Sequence, residues 1–538
     1  MKKAYSTFRP YLYILISAVL CALSFAPFLV WPLALVALWP VFYLLETENF
    51  NLKRVLIFSA YWALCVNFLG YHWLIYTIEV FGHIPFYAAV LIFILYSLAS
   101  GSRFFLFLFL HYFYRKYFHY TSAKSPPWLW YTFFWGISEL IGWQLFPWYG
   151  GNLMGGNIVF MQAADLVGVK GLSLVWFSIS LLLYEALMSA LRQKKREAIR
   201  WGVFGVLFFG LVHLYGFFRY RWELAQLAQA RYLRVGVVQG NSPLSFANMT
   251  SLKQAIYDTL MTMVHETLLL VESEKMAGKK LDLIVWPESA TPFLSYQENP
   301  FFQAELRRLL EKTGIPIIVN DILYEKNYPG RTYSNMFLLQ ADGRVAESYQ
   351  KIYLLPFGEY MPFSQVFPFL AEAFPEVSHF SFGERLVLFP LQDIHILPAI
   401  CYEVIISPFM RQFFAKTNYG ADLLINITND TWFGKSIESS QHLELGRWRS
   451  VELRRPMVRA TNSGISAMVD SAGRVFGKTP LFVRSRVVYE VPLVKGEPTL
   501  YARLGESLYH LMLFVLSCLT WVFQLYRYLR GSNPNARR

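Results

Sequence analysis

Cysteine is scarce in this 538-residue sequence, which has only Cys21, Cys65, Cys401 and Cys518. Three of them lie in hydrophobic runs, so we expect no disulfide framework, and Cys401 is left as a single thiol in a polar segment. Charged residues are also scarce, at 16%, whereas 55% are hydrophobic and the mean hydropathy is +0.33. Soluble chains usually fall below zero on that scale, so the composition predicts a protein in contact with a bilayer.

The charge that is present is mostly basic, and the net charge is +13. Most of the excess lies beside hydrophobic runs, which favours membrane topology over nucleic-acid binding. Eight runs are long enough, or nearly so, to cross ~30 Å of hydrocarbon. They are 10–26, 28–46, 55–78, 84–112, 128–146, 171–190, 201–219 and 505–527.

Basic residues occupy both termini and every second loop between the runs. The positive-inside rule makes that side cytoplasmic, so both termini are predicted to be cytoplasmic in a multi-pass protein. A segment with soluble character, residues 232–495, would then lie outside the cytoplasm. The predicted division is 1–231 for seven spans, 232–495 for a separate domain, and 496–538 for the eighth span and a cytoplasmic tail.

The 232–495 segment alternates strand and helix patterns, which predicts an α/β domain. A hairpin is expected over 333–351 around Asp342-Gly343. Further strands are expected at 233–239, 281–286, 315–320, 396–403, 421–428, 457–460, 465–470 and 486–492. Helices are expected at 251–275, 302–312 and 440–454.

Three residues of this domain form a chemical set, because each follows a predicted strand. Cys401, at a predicted helix start, could gain thiolate character from the helix dipole. Glu288 could take its proton, and Lys351 could hold an oxyanion. Each residue alone also has a simpler interpretation: a small buried Cys, a charge at a helix N-terminus, and a solvated strand Lys.

The segments WPES around Glu288, YQK ending at Lys351 and CYE from Cys401 resemble the nitrilase superfamily. Together with VVQGN (237–241), PFGEYMPF (356–363), NITNDTWFG (426–434) and RATNSGISA (459–467), they resemble the apolipoprotein N-acyltransferase family over the whole chain. The resemblance implies that Cys401 is the nucleophile, Glu288 the base and Lys351 the oxyanion stabiliser. It also implies a second active-site carboxylate and four supporting residues, namely Glu359, Tyr402, Glu403, Asn429 and Trp432.

The same resemblance implies that the domain is a four-layer α-β-β-α sandwich. It is expected to lie on the periplasmic side of the cytoplasmic (inner) membrane of a bacterium. The resemblance also implies a two-step, ping-pong transfer with no cofactor and no metal. A membrane phospholipid, typically phosphatidylethanolamine, would acylate Cys401. The acyl group would then pass to the N-terminal amine of the diacylglyceryl-cysteine of an apolipoprotein. Three alternatives remain: a membrane-tethered amidase or nitrilase, an acyltransferase with another acceptor, and a channel or receptor.

Three further features have functional interpretations. The Phe- and Pro-rich stretch 361–382 is predicted to be a lid or a loop that dips towards lipid, and the alternative is that its aromatic side chains pack on the core of the domain. Arg103, inside an apolar run, is expected to face a polar bundle interior or a lipid headgroup, or else to reach the cytoplasmic interface, which is the favoured placement. Arg447, Arg449, Arg454 and Arg455 are expected to form either a solvated basic face or a surface for lipid phosphate.

Overall fold

The computed structural model describes residues 2–118, 128–243, 252–291, 293–325, 330–364, 366, 367, 369, 372, 377 and 380–531. The chain divides into two compact units. The first unit comprises Met1–His72, Val90–Arg219 and Leu504–Arg538, and the second comprises Trp73–Ala89 and Tyr220–Arg503. A short piece of the N-terminal half, Trp73–Ala89, therefore clusters with the C-terminal α/β part.

The first unit is helical, and all eight predicted hydrophobic runs are helical over most of their length. The helices that form or enter it are Lys2–Ser24, Trp31–Ala34, Trp39–Thr47, Leu52–Tyr71, Phe86–Ser100, Ser102–Phe113, Trp128–Ile141, Ile158–Met161, Ala164–Leu191, Lys195–Leu227 and Glu506–Gly531. Among the described residues, three of them have the length and composition to cross a bilayer unaided: Leu52–Tyr71, Ala164–Leu191 and Lys195–Leu227. A fourth candidate is the pair Phe86–Ser100 and Ser102–Tyr117, which is bent by 45°.

Glycine and proline interrupt two of the predicted hydrophobic runs, 84–112 and 28–46. Gly101 lies at the 45° bend, where an added Cβ would stand 2.2 Å from the Cβ of Ala63. Only glycine permits that approach to the neighbouring helix. The predicted run 28–46 is divided into two helices, and each has Pro32 or Pro40 in its first turn, where proline is tolerated.

Arg103 is buried, so the expectation that it reaches the cytoplasmic interface is wrong. Its side chain is 2% exposed. Its Nη1 donates to the carbonyl of Trp148 at 2.9 Å, and its guanidinium lies 3.7 Å from the centre of the Trp148 ring. Nη1 also lies 4.0 Å from Glu139 Oε1. Inside the unit, the Trp148 ring and the Glu139 carboxylate therefore provide the interactions that the guanidinium was expected to make at the cytoplasmic interface.

The second unit contains twelve described strands in two six-stranded sheets. They are β1 (Arg231–Gln239), β2 (Leu283–Val285), β3 (Ile317–Tyr324), β4 (Thr332–Leu339), β5 (Val345–Gln350), β6 (Phe389–Leu391), β7 (Ile394–Ile400), β8 (Leu423–Thr428), β9 (Met457–Thr461), β10 (Ala467–Val469), β11 (Val475–Phe476) and β12 (Ser485–Leu493). The first sheet has the order β12-β1-β2-β3-β4-β5, and the second has the order β11-β10-β9-β8-β7-β6. In each sheet three neighbouring strands are parallel, β1-β2-β3 and β7-β8-β9, and the flanking strands are antiparallel.

Helices cover both sheets, and the sheets contact each other. Leu252–Met276 and Pro300–Thr313 pack on the first sheet through one buried apolar cluster. Glu438–Leu453 packs near β9 in the second sheet, and Ser407–Lys416 packs beside it. Between the sheets, Gln239 Oε1 accepts from the hydroxyls of Thr461 and Ser466 at 3.2 and 2.8 Å. The predicted α/β class is confirmed.

The predicted strands and helices of this unit are present, with bounds that shift by a few residues. The hairpin expected at 333–351 is formed by β4 and β5. The short strands β6 and β11 were not predicted, because two or three residues carry no readable alternation. At 396–403 the strand ends at Ile400, and the following turn is a five-residue 3-10 helix, Cys401–Ile405, rather than an α-helix.

The basic helix residues do not form a solvated or lipid-facing surface, so both expectations for them are wrong. Arg447, Arg449, Arg454 and Arg455 are all at most 8% exposed. They donate to the carbonyl oxygens of Gly473, Ile405, Ser471 and Ala421, respectively. These guanidinium groups therefore satisfy buried backbone acceptors around the second sheet.

Candidate active site

The three residues of the predicted chemical set come together at strand ends. Glu288 follows β2, Lys351 follows β5 directly, and Cys401 follows β7 directly. Lys351 Nζ lies 3.6 Å from Glu288 Oε1, and the Cys401 thiol hydrogen-bonds to the Glu288 carboxylate. Since β2 and β5 belong to one sheet and β7 to the other, the site needs both sheets in contact.

Cys401 has a strained backbone. Its φ is +50°, in the left-handed region that residues with a Cβ rarely adopt. The residue begins the 3-10 turn, so the chain reverses sharply after β7. Backbone strain of this kind costs on the order of 1–3 kcal/mol and persists only where the surroundings hold it.

Glu403 makes several of the contacts that stabilise the strained backbone conformation of Cys401. Its side chain is fully buried. Oε2 accepts from the backbone N–H of Ile400 at 2.8 Å. Oε1 accepts from the Tyr349 hydroxyl and from the N–H groups of Ile352 and Tyr353, at 2.7, 2.8 and 3.0 Å. One carboxylate thus ties the residues on either side of Lys351 to the residue before Cys401.

Glu359 is the second carboxylate on Lys351. Its Oε1 accepts from Lys351 Nζ at 2.5 Å, and its Oε2 accepts from the N–H of Leu355 at 2.7 Å. The Lys351 side chain is 1% exposed, so the ammonium is held between two carboxylates with little water. Bonds from a charged donor to a charged acceptor are the strong ones, and they fix where Nζ points.

The electrostatics of the site follow from burial and the two carboxylates. Burial, with Glu359 nearby, raises the pKa of Glu288 to about 7 against the opposing effect of Lys351. Burial disfavours the charged form of Lys351, but Glu359 and Glu288 outweigh it and raise its pKa. Burial and the Glu288 charge raise the pKa of Cys401 well above 9.0. A base must therefore take the thiol proton, and the expected contribution of a helix dipole at Cys401 stays a prediction.

The remaining predicted residues lie around this centre at different distances. The backbone of Asn429 hydrogen-bonds to the Glu288 carboxylate, and its side chain caps the 3-10 turn Asp430–Phe433. Tyr402 is buried beside the ring of Tyr353. Trp432 is 37% exposed, which suits a residue at the mouth of the site rather than in its core.

A helix from the N-terminal half, Trp73–Phe81, also belongs to this unit and was not predicted to contribute. Trp73 Nε1 donates to the amide oxygen of Gln441 at 3.0 Å. Thr77 Oγ1 donates to the carbonyl of Trp432 at 3.0 Å, and the Phe81 ring lies 4.7 Å from the Trp432 ring. In the sequence this helix is the end of a hydrophobic run, so its role could not be separated from that of a span.

A second polar cluster, also missed, lies behind Cys401. Asp430, Glu438 and His442 are buried, with one ligand atom from each within 4.8 Å of the others. Arg459 donates to both oxygens of Asp430, at 3.0 and 2.9 Å. The NDTWFG and RATNSG motifs contain Asp430 and Arg459, but nothing in their spacing pointed to His442.

Comparison with known proteins decides the family. Residues 17–182 match the apolipoprotein N-acyltransferase N-terminal domain, and residues 234–499 match the carbon-nitrogen hydrolase family. Apolipoprotein N-acyltransferase 2 of Leptospira interrogans is 31% identical, over 92% of this chain and 92% of its own length. The chain belongs to the apolipoprotein N-acyltransferase family. The resemblance stated from the motifs is confirmed.

Other apolipoprotein N-acyltransferases match over a similar extent. The protein of Geobacter metallireducens is 30% identical over 93% of this chain and 92% of its own length. That of Haemophilus influenzae is 29% identical over 94% and 93%. The match to the N-terminal domain of the family covers helices of the first unit, and the carbon-nitrogen hydrolase match covers nearly all of the α/β sheets.

Proposed function

We propose that this chain moves an acyl group from a membrane phospholipid to the N-terminal amine of the diacylglyceryl-cysteine of an apolipoprotein, the last step of lipoprotein maturation. The acyl group is carried as a thioester on Cys401. One observation carries the proposal: the Cys401 thiol hydrogen-bonds to the Glu288 carboxylate, and Lys351 Nζ lies 3.6 Å from the same carboxylate. These are the three groups that acyl transfer requires: a nucleophile, a base and an oxyanion donor.

In the first step, Glu288 takes the thiol proton as Sγ attacks the ester carbonyl of the phospholipid. The carbonyl oxygen becomes an oxyanion beside the Lys351 ammonium. The tetrahedral intermediate collapses with cleavage of the ester C–O bond, and Glu288 returns the proton to the departing lysophospholipid oxygen. A pKa of about 7 lets Glu288 both accept and donate near neutral pH.

In the second step, the free amine of the apolipoprotein attacks the thioester carbonyl, and Glu288 takes a proton from it. The new C–N bond forms, the C–S bond breaks, and the proton returns to Sγ. Glu359 holds Lys351 throughout, since its Oε1 accepts from Nζ at 2.5 Å. The cycle regenerates the enzyme without a cofactor or a metal.

Membrane attachment suits substrates that are both lipids. Extracting an acyl chain into water costs about 0.8 kcal/mol per CH₂, so a site held at the bilayer avoids that step. We propose eight spans, both termini in the cytoplasm and the catalytic domain in the periplasm of a bacterial inner membrane. The distribution of Lys and Arg among the loops supports this topology. The functional division proposed is 1–231, 232–495 and 496–538.

The lid proposed for 361–382 lies partly outside the described residues. Most of its described apolar side chains support contact with lipid, whereas Met361 is buried. Phe363, Val366, Phe367 and Phe369 are 73%, 70%, 50% and 61% exposed. Contiguous exposed apolar side chains indicate an interaction surface.

The decisive experiment is intact-mass measurement on the full-length protein, incubated with phosphatidylethanolamine and no acceptor. We expect one added acyl mass on the peptide that contains Cys401. Cys401→Ala should abolish it, and Cys518→Ala, the matched control at an exposed thiol, should retain it. A diacylglyceryl-cysteine peptide added afterwards should discharge the acyl group as an amide.

Two outcomes would redirect the proposal. If no phospholipid gives an acyl mass, the lipid donor is wrong and a membrane-tethered amidase becomes the better hypothesis. If the acyl mass forms but the diacylglyceryl peptide does not remove it, the acceptor is wrong and another acceptor class must be sought.

A further inference from the structure

The carbonyl oxygen of Cys401 is held from the second sheet by two side chains. Asn426 Nδ2, on β8, lies 3.4 Å from it, and His442 Nε2, on helix Glu438–Leu453, lies 3.3 Å from it. The left-handed φ of Cys401 turns this carbonyl away from the regular course of β7. A carbonyl that is partly removed from water and lacks donors would cost free energy, so these two donors favour the strained conformation.

His442 is oriented for that role by its other ring nitrogen. Nδ1 lies 3.2 Å from Asp430 Oδ1 and 3.3 Å from Glu438 Oε1. A proton shared between the Glu438 carboxyl and Nδ1 can reside on either atom. In both cases Nε2 carries a hydrogen, since a bare Nε2 would place its lone pair against the carbonyl of Cys401.

Arg459, fully buried on β9, anchors both donors. Its Nη1 donates to Asn426 Oδ1 at 2.7 Å, and its Nη2 donates to both oxygens of Asp430. Gly464 closes over Asp430, because an added Cβ there would stand 2.1 Å from Oδ2. The acidic pair with His442 is close enough to bind a metal, but a guanidinium already neutralises Asp430, and a divalent cation would face it.

We propose that His442 is a positioning residue for the nucleophile: by donating from Nε2 to the carbonyl of Cys401, it holds the left-handed turn that points the thiol at Glu288 and Lys351. This inference rests on the proposed function, since it concerns the orientation of the same thiol. A reacting atom displaced by about 1 Å can cost roughly a hundredfold in rate, so the donor is expected to affect the chemical step and not lipid binding.

The test is single-turnover acylation of the full-length protein by phosphatidylethanolamine, followed as acyl mass on Cys401. His442→Gln places an amide nitrogen where Nε2 lies, whereas His442→Asn places one where Nδ1 lies. We expect His442→Asn to lower the saturating rate about 10–100-fold with an unchanged half-saturating lipid concentration, and His442→Gln to stay within about threefold of the wild type. The matched control is His395→Gln, an exposed histidine on β7.

Asn426→Asp is an independent second variant. Its carboxylate can keep the contact with Arg459 but cannot donate to the carbonyls of Cys401 and Ala399, so a loss of saturating rate at least as large is expected. A purely structural role predicts equal losses in His442→Asn and His442→Gln, in step with their thermal stability, and would overturn the inference. So would wild-type rates in both His442→Asn and Asn426→Asp, or a rate that follows a bound divalent metal. Failure of the proposed function itself is distinct, because the wild type would then form no acyl mass.

Discussion

Each of the two units buries a cation against carboxylate in an interior with little water. In the helical unit, Arg103 lies 4.0 Å from Glu139, and the two side chains are 2% and 0% exposed. In the α/β unit, Lys351 is 1% exposed and lies 3.6 Å from Glu288 and 2.5 Å from Glu359. By burial alone the two constellations are equivalent, and either could be taken for an active site.

They differ in what surrounds the charges. Arg103 is matched by one carboxylate, covered by the Trp148 ring and bonded to a carbonyl, while Glu139 Oε1 accepts from the N–H of Gly150 at 2.7 Å. The carbonyl of Trp148 and the N–H of Gly150 therefore connect this buried pair to the 3-10 turn that begins at Gly150. Around Lys351 there are two carboxylates for one ammonium, and a thiol in a left-handed conformation touches one of them. Surplus charge and backbone strain, rather than burial, separate a reactive site from a structural one.

The largest effect that would sharpen this contrast is expected for Glu288→Gln. Removal of the proposed general base should slow Cys401 acylation about 10²–10⁴-fold. In the wild type the reactive form needs ionised Glu288, whose pKa is raised to about 7 by burial. The acylation rate should therefore fall about tenfold per pH unit below 7 and level off above it. In Glu288→Gln this acid limb should disappear.

The measurement is the pH–rate profile of single-turnover acylation. Glu139→Gln serves as the matched control, because it neutralises the other buried carboxylate and should leave the acid limb in place. An unchanged acid limb of the pH–rate profile in Glu288→Gln would mean that another group is the base. The difference between the two buried charge clusters would then not explain reactivity.

Features that depend on residues close together in the sequence could be predicted, and features that depend on contacts between distant residues could not. The α/β class and the strands that end before Glu288, Lys351 and Cys401 follow from local periodicity. The WPES, YQK and CYE segments identified the same three residues through resemblance. Contacts between distant parts of the chain could not be predicted from sequence. They include the three bonds to Glu403 from Tyr349, Ile352 and Tyr353, the contacts of the Trp73–Phe81 helix, and the donors to the Cys401 carbonyl.

The two wrong expectations about arginine have a shared physical cause. Arg103 and the cluster of Arg447, Arg449, Arg454 and Arg455 were assigned to water or lipid headgroups because isolated guanidinium groups are costly to bury. In the fold, carbonyl oxygens and aromatic rings satisfy them. These carbonyl acceptors are distant in sequence, so no local pattern predicts them. By contrast, Glu444 and Glu452, which pair with Arg447 and Arg449, lie three residues away on the same helix.

Lys351→Met should have the next largest effect. Loss of one oxyanion donor typically costs about 10²–10³-fold in the chemical step. Because Lys351 lowers the pKa of Glu288, its removal should also move the acid limb of the profile to higher pH. Single-turnover rates across pH test both parts. A profile that keeps its midpoint would contradict the contact between these two residues.

Glu359→Gln should have a smaller effect and shift the limb in the opposite direction. Its amide oxygen can still accept from Lys351, so we expect a loss of about 10–100-fold from weaker positioning. Since the Glu359 charge raises the pKa of Glu288, the acid limb should move to lower pH. Opposite shifts in Lys351→Met and Glu359→Gln would identify the three groups as one coupled set. Parallel shifts would instead indicate a general loss of structure.

The smallest effect on rate, and the one most able to break the comparison, is expected for Arg103→Met. Removal of one partner leaves Glu139 as an unpaired buried charge, which should lower the free energy of unfolding by about 3 kcal/mol. The double variant Arg103→Met with Glu139→Gln removes that charge and keeps an acceptor for Gly150, so it should recover at least half of the loss. Denaturant titration in detergent measures both. We expect the Arg103–Glu139 pair to contribute to folding and not to chemistry, so acylation per folded molecule should stay within about twofold of the wild type. A loss comparable to that of Glu359→Gln would mean that the buried pair of the helical unit also serves the reaction.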